Sequence, residues 1–118
     1  MKENSNPNPK ENPFTGDEGD SLSLEEVKTL NAEWIQSRKH HYNDNEAKVI
    51  RSYFFGEKKI RQELTKPGSI GIRVYYGVNG QGDDILMMVA ATADWKDIPE
   101  MEGVSPLISP KPCPPYCP

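Results

Sequence analysis

The first long run of mixed apolar and polar positions has the spacing of an amphipathic helix. Its apolar residues stand at i, i+3 and i+7 and form a single stripe made of Val27, Leu30 and Trp34. Ser23 precedes the stripe, and a glutamate stands three residues after this serine, which is the pattern of a capping box. The spacing predicts a helix over about residues 24–39, which ends before the turn-rich sequence Tyr-Asn-Asp-Asn.

The segment 48–55 carries two conflicting patterns. Its apolar positions have helical spacing, but they are occupied by β-branched and aromatic residues, which favour strands: Val49, Ile50, Tyr53 and Phe54. We predict a strand here that ends at Gly56. The sequence that follows predicts a short helix in which Ile60 and Leu64 face inward, and Pro67 stops this helix.

A β-hairpin is predicted from residue 71 onward. In its first strand, Arg73 and Tyr75 lie on the face opposite to Ile72, Val74, Tyr76 and Val78. The turn is Asn-Gly-Gln-Gly-Asp-Asp, in which the glycines allow positive φ angles. The return strand is apolar on both faces, so both faces need a cover. We expect helices to cover one face. The other face is then covered by the end of the chain, by a second copy of the protein or by a partner.

These elements predict one small α+β domain over residues 22–98, in the order helix, strand, short helix and hairpin. A chain of 118 residues suffices for one domain of this kind. Residues 1–21 form an acidic arm that contains no Leu, Ile or Val, and we predict that this arm is disordered. Residues 99–118 are rich in proline and lack periodicity, so we call them the tail.

The charge of the chain argues against a nucleic-acid partner. The formal net charge is −4, from 18 acidic and 14 basic side chains, and no basic patch is evident in the sequence. The N-terminus lacks the apolar core of a secretory signal, and no apolar run is long enough to span a membrane. We therefore predict a cytoplasmic protein with no membrane partner. Thiols are normally reduced in the cytoplasm, but the sequence leaves open whether Cys113 and Cys117 are free, disulfide-bonded or metal-bound.

The tail ends in Lys-Pro-Cys-Pro-Pro-Tyr-Cys-Pro, which contains both cysteines of the chain. The spacing of Cys113 and Cys117 is neither the Cys-x-x-Cys of a thioredoxin-like site nor that of a usual zinc pair. Pro114 and Pro115 restrict the backbone, so the two sulfur atoms have few relative positions. Three interpretations stay open: a disordered tail with incidental thiols, a proline-rich segment that docks in an aromatic groove, and a thiol or metal site.

Four stretches together carry a resemblance: Ser-Leu-Glu-Glu-Val-Lys-Thr-Leu-Asn-Ala-Glu-Trp-Ile, Phe-Phe-Gly-Glu-Lys-Lys-Ile-Arg-Gln-Glu-Leu, the hairpin, and the final Cys-Pro-Pro-Tyr-Cys. In these, the chain resembles a group of small bacterial proteins that have a similar hairpin and end in Cys-Pro-Pro-Xaa-Cys. The group has no established activity, so the resemblance implies an organisation and no function. It also implies an Asp-Ala-Asp-Gly-type turn after the last strand, where this chain has Ala-Asp-Trp-Lys at residues 93–96.

Other polar groups have simple structural interpretations. His40 and His41 bring the Cys and His count to that of a zinc site, but they are adjacent in sequence and stand at a helix end, where they interact favourably with the helix dipole. Asp83 and Asp84 lack the further oxygen ligands and the spacing of a cation-binding loop. Nothing in the sequence indicates that Asp94 and Asp97 face each other as a catalytic pair. We predict no bound metal and no cofactor.

No nucleophile–base motif or nucleotide-binding fingerprint occurs, so we expect no enzyme activity. We predict a protein-interaction or assembly module, with a protein partner or a second copy of the chain, that acts through its hairpin sheet and its tail. The candidate binding residues are Arg73 and Tyr75 on the sheet, and Cys113, Pro114, Pro115, Tyr116 and Cys117 in the tail. The alternative is a thiol-dependent redox or metal-binding protein that uses the two cysteines.

Overall fold

The computed structural model describes residues 13–118 and has the α+β class that the sequence predicts. Two 3₁₀ helices, at Lys39–Tyr42 and Glu46–Lys48, follow the first α-helix. The α-helices and strands in chain order are α1 (Leu24–Arg38), β1 (Ser52–Tyr53), α2 (Glu57–Leu64), β2 (Gly71–Val78), β3 (Asp84–Ala91), β4 (Leu107–Ile108) and β5 (Pro112–Cys113). Within the described residues, no helix combines the length and the apolar character that a membrane crossing needs.

The strands form two antiparallel sheets. One has the order β2-β3-β4 and contains the predicted hairpin, and the other pairs β1 with β5. The strand predicted over 48–55 is limited to two residues, because the chain before it forms a 3₁₀ helix that Asn45 caps. Its partner β5 is equally short and begins at Pro112, which has no N–H group to extend the pairing.

The start of α1 is the capping box that the sequence predicts. The Ser23 hydroxyl accepts a hydrogen bond from the Glu26 backbone N–H at 3.0 Å, and the Glu26 carboxylate accepts one from the Ser23 N–H at 2.9 Å. These bonds lower the pKa of Glu26 below its usual value. No residue of α1 is buried, so its apolar stripe is an accessible surface of the helix.

Contacts divide the chain into two compact units, each of which we describe by itself. Among the described residues, unit 1 comprises residues 13–19, 56–75 and 87–107, and unit 2 comprises residues 20–55, 76–86 and 108–118. Unit 2 therefore combines residues of the predicted domain with the last part of the predicted tail. The division into 1–21, 22–98 and 99–118 that composition indicates stays a prediction.

The buried polar residues of unit 1 form an ion pair. Glu63 in α2 and Lys66 just beyond it are 0% and 3% exposed, and the Lys66 ammonium lies 2.7 Å from the Glu63 carboxylate. The Ala90 N–H donates to the same carboxylate oxygen at 2.9 Å, and the ammonium also donates to the Ile98 carbonyl at 3.1 Å. Glu63 is thus the buried residue of α2, whereas Leu64, predicted to face inward, is exposed.

Candidate functional site

The two cysteines of the tail form a disulfide bond. Cys113 and Cys117 are four positions apart in sequence, their Cα atoms are 4.7 Å apart, and the peptide bonds before Pro114 and Pro115 are cis. Cys113 is buried and Cys117 is exposed. The five residues Cys113–Cys117 thus form a loop that the disulfide closes.

The tail pairs with the segment 50–54, which we call the wall segment. Ser52 lies opposite Cys113 and Tyr53 opposite Pro112 in the β1–β5 pairing. The wall segment also donates two further backbone hydrogen bonds, from Arg51 N–H to the Cys113 carbonyl at 2.8 Å and from Phe54 N–H to the Lys111 carbonyl at 3.1 Å. Both ends of the paired region are thus fixed by backbone hydrogen bonds.

Side-chain contacts reinforce this pairing. The buried Ser109 hydroxyl hydrogen-bonds to the Phe54 carbonyl, and the Lys111 ammonium lies 4.5 Å from the centre of the Tyr116 ring. The Tyr116 N–H donates to the Pro112 carbonyl at 2.9 Å, while the ring of Tyr116 remains more than half exposed. These contacts explain why a sequence without periodicity adopts one arrangement here.

Helix α1 holds the wall segment through two side-chain donors. The Asn31 amide donates to the Arg51 carbonyl at 2.9 Å, and the Trp34 indole N–H donates to the Ile50 carbonyl at 3.0 Å. The carbonyls of Ile50 and Arg51 therefore accept hydrogen bonds from α1, while the tail binds the N–H groups of Arg51 and Phe54. The sequence analysis did not select Asn31 as a site residue. Its position next to Leu30, in the apolar stripe of α1, is the sequence feature that could have indicated its role.

An apolar groove lies within unit 2, bounded by α1, the wall segment and the nearby end of the hairpin. Its cavity volume is about 660 Å³. Its apolar lining includes Leu22, Val27, Leu30, Trp34, Val78 and Leu86. Leu30 is 55% exposed and Val78 is 67% exposed, so this lining is open to solvent along the groove. Contiguous apolar surface of this kind marks interaction sites in soluble proteins.

Two arginines line the groove and have unused hydrogen-bond donors. Arg38 stacks over the Trp34 ring at 4.3 Å, and its Nε lies 3.6 Å from the Asp84 carboxylate, which is an ionic contact rather than a hydrogen bond. Arg51 donates one hydrogen bond, to the Glu46 carbonyl at 3.1 Å. Within residues 13–118, the buried Nε atoms of both arginines lack a hydrogen-bond partner.

The acidic residues of the hairpin turn accept hydrogen bonds from two tyrosines. The Tyr42 hydroxyl donates to the Asp83 carboxylate at 3.0 Å, and the Tyr53 hydroxyl donates to the Asp84 carbonyl at 2.8 Å. Burial, together with the Asp83 carboxylate, raises the pKa of Tyr42 to about 12. Burial also raises the pKa of Tyr53. The Asp83 carboxylate and the Asp84 backbone carbonyl therefore connect this end of the hairpin to Tyr42 and Tyr53.

The predicted sheet residues Arg73 and Tyr75 share a partner within unit 1. Arg73 forms an ion pair with Asp97 at 2.6 Å, and the Tyr75 hydroxyl hydrogen-bonds to the other oxygen of the same carboxylate. Arg73 also lies over the ring of Phe14 at 5.5 Å, and Phe14 contacts Trp95 with ring centres 5.4 Å apart. Arg73 and Tyr75 thus both bind Asp97, which the sequence did not indicate, and the backbone partners of the tail lie in the wall segment.

Phe14 belongs to the arm for which composition predicts disorder. Its backbone N–H also donates to the Ala93 carbonyl at 3.4 Å, so the contacts of unit 1 include this residue. Composition alone gave no signal for these contacts, because Phe14 is an isolated aromatic residue in a polar sequence. Residues 1–12 of the arm lie outside the described residues.

The histidines stand in the 3₁₀ helix that continues α1. The rings of His40 and His41 are 4.2 Å apart and exposed to solvent. Among residues 13–118, no three or more His, Cys, Asp and Glu side chains are close enough together to hold a metal ion. Asp94, one of the turn carboxylates, accepts a hydrogen bond from the Thr92 hydroxyl, which lowers its pKa.

The chain matches no protein-family model, no curated protein sequence and no solved structure. A functional assignment therefore has to come from the groove and from the segments that form it.

Proposed function

We propose that this protein is a non-catalytic interaction module that binds an apolar segment of a protein partner in the groove of unit 2. The observation that carries the proposal is the groove itself, in which large apolar side chains of α1 and the hairpin remain exposed to solvent. Each square ångström of apolar surface covered by a partner contributes about 25 cal/mol, so covering a few hundred would offset part of the entropic cost of association.

The openness of the lining favours a polypeptide over a small ligand. Pockets for small molecules enclose most of the ligand surface. Here Leu22, Leu30 and Val78 are each more than half exposed. A groove along a helix suits an extended or helical segment that places several apolar side chains in succession.

The tail contributes to this function by supporting the wall segment. The disulfide loop fixes the residues that pair with β1, and β1 lines the groove. Under this proposal the tail acts through Cys113 and the backbone of its neighbours. The exposed ring of Tyr116 is the part of the tail that remains accessible for a contact of its own.

The test is a selection of displayed random peptides on the intact protein, followed by binding measurements with Leu30→Asp. Leu30 lines the groove, whereas Leu24 on the same helix is 68% exposed and lies outside the lining, so Leu24→Asp is the matched control. Enriched peptides should lose binding to Leu30→Asp and keep it with Leu24→Asp. Equal binding to both variants, or no enrichment from the library, would refute the proposal.

A thiol-dependent redox function is the second candidate, because the two cysteines form a disulfide and the sulfur-bearing side chain of Cys117 is accessible. It is tested by incubation with a series of glutathione redox buffers and by the Cys113→Ser/Cys117→Ser variant. A redox protein should exchange its disulfide within the range of cellular potentials and lose all function in the variant. Under the interaction proposal the variant keeps peptide binding, with a modest loss of affinity.

The proposed partner is a protein, in the cytoplasm, and not a nucleic acid or a membrane. A second copy of the chain is the other protein partner compatible with the exposed apolar surface. Sedimentation of the pure protein distinguishes these, since self-association through the groove should be abolished by Leu30→Asp and unchanged by Leu24→Asp.

A further inference from the structure

We infer that the groove selects a partner segment that carries a carboxylate beside its apolar side chains, and that Arg38 and Arg51 bind this carboxylate. The inference rests on the proposed function, because it names the chemistry of the segment that occupies the same groove. It starts from the hydrogen-bond capacity of the two guanidinium groups.

Each guanidinium group offers five N–H donors in a fixed plane. Within the described residues, Arg38 makes no hydrogen bond at the distances that define one, and Arg51 makes a single one, to a backbone carbonyl. Because the two Nε atoms are buried, a ligand would reach the terminal nitrogen atoms of the guanidinium groups instead. An anionic acceptor at these terminal N–H groups would form charge-assisted hydrogen bonds. A carboxylate matches the planar arrangement of arginine donors better than a neutral amide does.

The other polar groups of the groove do not compete for this role. The Asn31 amide and the Trp34 indole already donate to carbonyls of the wall segment. Tyr53 donates to the Asp84 carbonyl. Ser52 and Tyr76 add neutral hydroxyl groups to the lining, so Arg38 and Arg51 are the groove donors that carry a positive charge.

Charge complementarity points in the same direction. The groove lining contains two cationic side chains, Arg38 and Arg51, and one anionic side chain, Asp84. This local excess of positive charge stands in a chain whose formal net charge is −4. The positive side chains of the groove would attract an acidic segment, although the net charge of the whole chain is negative.

The occupant is a segment of another protein rather than the start of this chain. Residues 1–12 contain Met1 as their single large apolar side chain, so their sequence cannot fill an apolar groove. The exposed lining also argues against a free fatty acid, whose chain needs an enclosed cavity. An acidic, apolar peptide segment meets both requirements.

The experiment uses peptides selected from a displayed random library on the full chain. The enriched peptides should combine aliphatic or aromatic residues with Asp or Glu. Their dissociation constants are then measured by fluorescence anisotropy against the native protein, Arg38→Gln and Arg51→Gln. We expect each of these variants to bind at least about tenfold more weakly, because a charge-assisted bidentate contact is lost. Arg61→Gln is the matched control, since Arg61 is a highly exposed arginine of unit 1 that pairs with Glu57.

A change on the peptide side tests the same contact without altering the protein. Replacing the acidic residue of the peptide by its amide should weaken binding to the native protein by at least the same factor. It should have little further effect on the double variant Arg38→Gln/Arg51→Gln, in which both contacts are already lost. Binding that is insensitive to the amide replacement would overturn the inference. In that case, Leu30→Asp separates the two proposals. If Leu30→Asp abolishes binding but the amide replacement does not, the carboxylate contact is rejected and the proposed function stands. If neither Leu30→Asp nor the amide replacement weakens binding, the carboxylate contact and the proposed function are both rejected.

Discussion

Replacing Lys66 by methionine should strongly destabilise unit 1. The Lys66 ammonium and the Glu63 carboxylate are almost fully buried and lie 2.7 Å apart. Removing the ammonium leaves a buried carboxylate whose remaining described hydrogen bond comes from the Ala90 N–H. Breaking a buried ion pair from one side costs about 3–5 kcal/mol, because the surviving charge is uncompensated.

The expected change in melting temperature follows from the size of the chain. An unfolding entropy of about 2.1 cal/mol/K per residue makes 1 kcal/mol worth roughly 4 °C here. If the chain unfolds in one transition, Lys66→Met should therefore lower the melting temperature by about 12–20 °C. Urea unfolding followed by far-ultraviolet circular dichroism gives the free energy, and the exposed Lys59→Met on α2 serves as the control.

The double variant Glu63→Met/Lys66→Met separates the charge effect from packing. The double variant removes both charges, so it should recover part of the free energy of unfolding that Lys66→Met loses. A loss of about 1–3 kcal/mol should remain, because the buried Ala90 N–H has no acceptor in the double variant. A loss below about 1 kcal/mol in Lys66→Met, or a double variant less stable than the single one, would refute this account of the ion pair.

Three further predictions concern the other contacts. Tyr42 has a pKa of about 12, so in an absorbance titration it should ionise at a higher pH than ordinary tyrosines. The free energy of unfolding should fall as the pH rises from 10 to 12, because the unfolded chain releases this proton at a lower pH than the folded chain does. Tyr42→Phe should remove both effects. Dithiothreitol should lower the stability of the native protein by about 2 kcal/mol, the value for so small a loop, and should leave Cys113→Ser/Cys117→Ser unchanged. Phe14→Ala should cost about 1 kcal/mol in thermal unfolding, since it loses its contacts with Trp95 and Arg73, and an unchanged melting temperature would contradict these contacts.

The local elements of the fold could be predicted from the sequence. The capping box and the spacing of the apolar stripe determine where α1 begins and runs, and the alternation around a glycine-containing turn determines the hairpin. These elements are predictable because their hydrogen bonds join residues that are close in sequence. The α+β class follows from them directly.

The tertiary structure decided which surfaces these elements expose and what the tail contacts. The β1–β5 pairing joins residues about 60 positions apart through two-residue strands, which are too short to show a period of two. The burial of Glu63 depends in the same way on the distant Ala90, and the pairing of Arg73 depends on Asp97 beyond the hairpin. The groove arises only when α1, the wall segment and the hairpin come together, because its apolar lining and its two arginines come from separate parts of the chain. Long-range contacts of this kind leave no regular spacing in a single sequence, which is why the helix stripe was visible beforehand and the groove it forms was not.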